Sequence, residues 1–165
     1  MSVVVFAWGN ESRGDDGLGP LLGAHVEAQW PEVTLVTDFQ LQLEHALDLG
    51  GHDLALFVDA GHDTAAPFEF REIEARPGMA HTSHALAPES LLGVALQIGI
   101  APPPAFVLCI AGCDFCLGKP LTLQAQSHLI VARDFLDRLL AAPDPRRWRL
   151  AVDAIAERNT LVPTI

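Results

Sequence analysis

An α/β fold with a mostly parallel sheet is predicted by three observations. Short apolar runs rich in Val, Ile, Leu and Phe recur along the chain, and they lack the alternation of a strand with one wet face. Segments with helical periodicity separate them. A single later segment, Phe68-Glu69-Phe70-Arg71-Glu72-Ile73-Glu74, alternates strictly and reads as an antiparallel or edge strand.

The apolar runs over residues 2–8, 33–37, 53–60 and 105–111 are expected to be strands buried on both faces. Leu18, Leu21, Leu22, Val26 and Trp30 fall at i, i+3, i+4, i+8 and i+12, which predicts a first helix stopped by Pro31. A second helix is expected over residues 43–49, ended by Gly50-Gly51, and a third from Pro88, a residue suited to the first helical position. Leu129, Ala132, Phe135, Leu136, Leu139 and Leu140 share one side of a fourth helix near residues 121–140. Trp148, Ala151, Val152 and Ile155 mark a short amphipathic fifth.

With 165 residues, 50% of them hydrophobic, the chain is expected to form one domain over 1–165 with a well-buried core. Its net charge of −11, from 21 acidic against 10 basic side chains, repels nucleic acid and anionic lipid, so neither is expected as a partner. No Lys or Arg precedes the first apolar run, which ends at Gly9, too short for a signal peptide. Residues 91–113 carry no charge, but Pro102-Pro103-Pro104 breaks any membrane helix there. The odd count of 3 cysteines fits a reducing compartment, and a cytoplasmic protein is expected.

The loop after the first strand, Gly9-Asn10-Glu11-Ser12-Arg13-Gly14-Asp15-Asp16-Gly17-Leu18-Gly19, has the outline of a phosphate cradle but the wrong chemistry. Asp15 follows Gly14 where a Walker loop needs Lys, and Leu22 stands where a dinucleotide fingerprint needs its third Gly. Two adjacent carboxylates repel phosphate and invite a cation, unless one of them only caps the helix. In open parallel sheets the functional crevice lies beyond the carboxyl ends of the strands. Asp16, Asp38 and Asp59 are all expected at that edge, in the loop after the first strand, straight after the second and at the end of the third. Asp59 closes the run Leu54-Ala55-Leu56-Phe57-Val58, where a charge is costly without a partner such as a metal ion. His84, in His81-Thr82-Ser83-His84, adds an imidazole ahead of the third helix. Two carboxylates and one imidazole form a mixed donor set suited to nickel, zinc or another first-row divalent ion.

Gly9-Asn10 with Asp15-Asp16-Gly17-Leu18-Gly19, Val58-Asp59-Ala60, Ser83-His84-Ala85-Leu86-Ala87-Pro88, and Ile110-Ala111-Gly112 with Phe115 and Gly118 resemble, in order and spacing, the maturation endopeptidases of nickel-iron hydrogenases. The resemblance covers most of the chain. Asp38-Phe39-Gln40-Leu41-Gln42-Leu43-Glu44-His45 is similar to the branch that serves soluble, NAD-coupled hydrogenases. The chain departs from the family pattern at Ala7, often Gly, and at Asp38-Phe39-Gln40, where many members have Asp-Gly-Gly; the second change alters the loop after the second strand.

The resemblance implies a three-layer α/β fold, a twisted and mostly parallel five-stranded sheet with helices on both faces. It implies removal of a C-terminal extension from the hydrogenase large-subunit precursor once nickel is inserted. By position, Asp16, Asp59 and His84 would contact the metal, which arrives with the substrate, so no permanent cofactor is expected. The expected catalytic acids are Asp16 and Asp38, with the choice between a metal-activated water and Asp38 as general base left open. Two other readings stand beside this one: a non-catalytic module that binds the metal-loaded precursor, and a thiol redox protein using Cys113 and Cys116. Cys109 is expected as a small buried hydrophobe, His25, His45 and His128 as surface or packing residues, and His62 as a plain loop residue.

Overall fold

The computed structural model describes residues 1–77 and 86–160. Strands β1 (Val3–Trp8), β2 (Thr34–Asp38), β3 (Leu54–Gly61), β4 (Phe68–Ile73) and β5 (Ala105–Ala111) form a single five-stranded sheet in the order β2-β1-β3-β5-β4. All neighbours are parallel except β4, which runs antiparallel to β5 at the edge, as its alternation predicts.

Successive side chains of each strand point to opposite faces, and the sheet feeds two cores. Val3, Val5 and Ala7 face α1 (Leu18–Gln29), α3 (Leu123–Ala141) and α4 (Pro145–Thr160), together with Phe70, Phe106 and Trp148. Val4, Phe6 and Trp8 face α2 (Pro88–Gln97) and a 3-10 segment over Leu43–Leu49, with Phe6 stacked on Phe57 at 4.8 Å. Burying each large apolar side chain of these layers contributes about 1.5–3 kcal/mol. The helices thus cover both faces, as expected, and among the described residues none is long and apolar enough to cross a membrane.

Several boundaries and environments differ from the sequence reading, each for a local reason. β2 is an edge strand and stays half exposed, so an apolar run did not mean burial on both faces. In α1, Leu18, Leu22 and Val26 are buried, whereas Leu21 is 38% exposed. A Cβ at Gly19 would overlap the Trp8 carbonyl oxygen, and one at Gly23 would lie 3.0 Å from the Ala7 Cβ. The helix backbone therefore sits close on β1, which narrows the buried stripe. Residues 43–49 form 3-10 turns, not an α-helix; the seven-residue segment is closed at its start by a reciprocal cap between Gln42 and His45. α4 is longer than expected, because Asp144 accepts from the Arg146 and Arg147 N–H groups and starts it early.

Asp15 decides how the first loop meets the sheet. The residue has no exposed surface and lies in a 3-10 turn over Gly14–Gly17. Its carboxylate accepts from the N–H groups of Cys113 (2.7 Å), Asp114 (3.1 Å) and Thr122 (2.7 Å), and from the Thr122 hydroxyl (2.8 Å). Thr122 in turn caps α3, accepting from the Ala125 N–H. Neither Asp15 nor Asp16 caps α1, whose N-cap Gly17 has no side-chain bond. Backbone bonds from Asp15 to Asp114, Gly14 to Lys119 and Gly118 to Ser12 extend the same seam. Burial alone would raise the Asp15 pKa, but the bonds from Thr122, Cys113 and Asp114 outweigh it and hold the carboxyl below the usual range.

Because its folded pKa is depressed, the Asp15 contribution is present above the ordinary carboxylate pKa and is lost as pH falls through the folded value. Asp15→Asn should therefore destabilise the protein by about 2–4 kcal/mol at neutral pH. The deficit should shrink below about pH 4, as denaturant titrations of both proteins across that range would measure.

Candidate functional site

The Asp15 seam leaves the adjacent carboxylate, Asp16, half-buried at the carboxyl edge of the sheet. Its Oδ2 accepts from the Asn10 N–H at 2.6 Å, which curls the loop back on itself. The curl needs Gly9, at φ +146°, where any Cβ would overlap the Asp16 carbonyl oxygen.

Asp59 lies near the end of β3, as expected, two residues before its last residue, and pairs in register with Cys109 of β5. Its side chain points to the same face as Phe57, and among the described residues its one hydrogen bond comes from the Ala60 N–H at 2.8 Å. Burial pushes its pKa up to about 6; the Ala60 bond opposes this, and the negative charge of Asp16 adds to it. The 3-10 turn that carries Asp16 packs against β3, which brings Asp16 close enough for its charge to act on Asp59. Among the described residues no cationic side chain offsets the Asp59 charge.

Asp38 sits elsewhere on the edge. It ends β2 opposite Trp8, with β1 between it and β3, so strand spacing sets its Cα roughly 10 Å from that of Asp59. The three acids share the edge as expected, but the structure pairs only Asp16 with Asp59. Asp38 Oδ1 accepts from the Phe39 N–H at 2.6 Å, and Oδ2 lies 3.4 Å from His45 Nε2. His45 is buried, and its Nδ1 accepts from the Gln42 N–H at 3.0 Å, so in the neutral ring Nε2 carries the proton and faces Asp38. This partner was missed in the sequence, where His45 reads as packing; the signal available was its spacing of three from Gln42, which forms the cap.

His84, the third expected metal contact, lies outside the described residues, as does His81. Among the described residues, no three His, Cys, Asp or Glu side chains come together to hold a metal ion. Two of the three expected contacts are thus placed together, and α2 begins at Pro88, four residues after His84.

The cysteines are all free thiols. Burial pushes the Cys109 thiol up, and the charges of Asp59 and Glu69 push it further; its Sγ lies 3.2 Å from the Thr64 hydroxyl. Cys109 is therefore more than a small hydrophobe, since it adjoins the acid crevice as a protonated thiol. Cys113 and Cys116 are exposed, and the Asp114 carboxylate raises the Cys116 pKa through a hydrogen bond and its charge. Redox C-x-x-C pairs depend on a lowered thiol pKa, so this environment works against such a role. His25 pairs with Asp137 at 2.8 Å, and His128 Nδ1 lies 2.6 Å from the Ala111 carbonyl oxygen, both in packing roles. His62 stacks on Phe115 with ring centroids 4.3 Å apart.

No protein-family model and no curated protein sequence matches the chain. Among solved structures, it is similar to the [NiFe] hydrogenase maturation protease HycI from Thermococcus kodakarensis, with TM-score 0.64 and 19% identity over 86% of this chain and 93% of the other. The hydrogenase maturating endopeptidase HybD from E. coli matches with TM-score 0.64 and 16% identity over the same shares, 86% and 93%. A hydrogenase 2 maturation peptidase from a Thaumarchaeota archaeon matches with TM-score 0.61 and 21% identity over 86% of this chain and 99% of the other. At these identities the likeness establishes a shared fold.

The raised pKa of Asp59 sets a pH dependence of opposite sign to that of Asp15. Stability at this position is complete below the unfolded value of 3.8 and is lost as pH rises through about 6. Asp59→Asn should make the metal-free protein more stable by about 2–3 kcal/mol at pH 7.5. The gain should vanish below about pH 4, which denaturant melts in chelator would show.

Proposed function

We propose that this chain is an endopeptidase that removes the C-terminal extension from the nickel-loaded large-subunit precursor of a nickel-iron hydrogenase. The observation that carries the reading is the placement of Asp59, a buried carboxylate at the carboxyl edge on which the charge of Asp16 acts and which has no cationic partner among the described residues. The fold shared with proteins described as hydrogenase maturation proteases and endopeptidases supports it.

In this reading nickel belongs to the substrate and serves as the recognition element. Asp16, Asp59 and His84 bind it through coordination positions that the precursor leaves open, which suits a mixed oxygen and nitrogen set. Binding through the metal fixes the neighbouring peptide bond against the enzyme and makes its hydrolysis effectively intramolecular. Asp38, held by the Phe39 N–H and faced by His45 Nε2, is the general-base candidate. Its Cα lies roughly 10 Å from that of Asp59, a separation that leaves room for the peptide between metal and base. The wall formed by residues 38–45, which resembles the branch serving NAD-coupled hydrogenases, is assigned to precursor choice. The reading places the protein in the cytoplasm with its precursor.

Adding the protein to nickel-loaded precursor should shorten it on a denaturing gel, and Asp16→Ala or Asp59→Ala should abolish the shift. Precursor that is bound but never shortened would establish the binding-module reading instead. Cys113→Ser with Cys116→Ser should leave processing unchanged, whereas its loss, with the melting temperature retained, would favour the thiol reading. Asp38→Asn should lower the single-turnover rate by about 100-fold or more while precursor binding persists.

A further inference from the structure

A second feature of the carboxyl edge is not used by the metal contacts. An open groove of about 830 Å³ runs between the outer side of α1 and β2, from Glu27 and Leu35 up to Asn10, Asp38 and Phe39. Its lining includes the acids Glu11 and Glu27, with Asp38 at the upper end, and no basic residue. Phe39, at its upper end, is 74% exposed.

One wall of the groove is the outer edge of the sheet. β2 ends the strand order, and among the described residues nothing pairs with its far side. The Asp38 carbonyl accepts from the Gly9 N–H, so Asp38 turns its backbone polar groups toward β1. Successive residues of a strand turn these groups to opposite edges, and Leu35 and Thr37 therefore present theirs outward. Both residues also line the groove, as does Pro20 from the helix side.

We propose that this groove docks an extended segment of a second polypeptide carrying Lys or Arg, which adds as a strand to the outer edge of β2. Main-chain bonds to Leu35 and Thr37 give the segment its register, apolar side chains rest on Leu35, Pro20 and Phe39, and the basic side chains meet Glu11 and Glu27. The identity of that polypeptide, though not the docking itself, rests on the protease reading: the segment is then part of the precursor, led along β2 toward Asp16 through Asn10, whose N–H already bonds the Asp16 carboxylate. A chain of net charge −11 draws such a segment in from a distance, and the β2 edge then fixes where it lies.

The probe is a fluorescent decapeptide of alternating Lys and Val, followed by anisotropy in metal-free buffer, with a Glu and Val decapeptide as its anionic counterpart. The cationic peptide should bind and the anionic one should not. Thr37→Pro removes one outward N–H donor and leaves the bonds to β1, a change that an edge strand tolerates. It should weaken binding by about tenfold or more with the melting temperature retained. Glu27→Lys should weaken binding as much, whereas Asp153→Lys, the same charge change on the exposed face of α4, should not. Equal binding by wild type and Thr37→Pro, equal losses for Glu27→Lys and Asp153→Lys, or no binding of the cationic peptide would each overturn the proposal. So would a wild-type dimer that Thr37→Pro dissolves, since the edge would then be filled by a second copy. Because neither precursor nor nickel is used, failure here leaves the protease reading intact, and failure of precursor processing leaves this one intact.

Discussion

The buried Asp15 carboxylate is the constraint on which the rest of the carboxyl edge depends. Four donors from the segment after β5 converge on it, and one of them, Thr122, also caps α3. A charge without exposed surface is tolerable only because its acceptor sites are filled by fixed N–H and O–H groups. The consequence is geometric. Once Asp15 is locked inward, the next residue is turned to the crevice, so the β1 loop, the head of α3 and the placement of Asp16 are set by one interaction.

Asp16 and Asp59 are the reverse case. Asp59 receives one hydrogen bond, is largely buried, and feels a like charge, so its ionised form is held at a cost. A buried carboxylate perturbed by burial and a neighbouring charge at a sheet edge is a candidate for function. Two neighbouring aspartates in sequence thus sit in different environments, Asp15 buried among four donors and Asp16 half-buried with the Asn10 N–H on its carboxylate.

Asp38 and His45 show a third arrangement, in which an imidazole is fixed by its backbone neighbour. The Gln42 N–H occupies Nδ1, which leaves Nε2 as the face toward Asp38. The same loop supplies Phe39 to the rim of the groove beside β2, so that one short segment connects the acid, its histidine and an apolar surface. The free edge of β2 and the carboxyl end of the sheet meet at Asp38.

Much of this architecture was legible in the sequence, because it rests on short-range signals. The apolar runs gave the strands, the strict alternation of Phe68 to Glu74 gave the antiparallel edge, and Pro88 gave the start of α2. The placement of Asp16 and Asp59 at one crevice followed from the rule that parallel strands end together. What the pattern did not contain was contact across the chain. The sequence could not separate the roles of Asp15 and Asp16, since the donors that distinguish them are about a hundred residues away, at Cys113, Asp114 and Thr122. It read β2 as buried and His45 as packing, because edge position and a partner carboxylate are properties of the assembled sheet. Local periodicity by itself determined the strands, the helices and their order; only tertiary structure decided which carboxylate is satisfied and which is left waiting, because hydrogen-bond donors and like charges act through space and not along the chain.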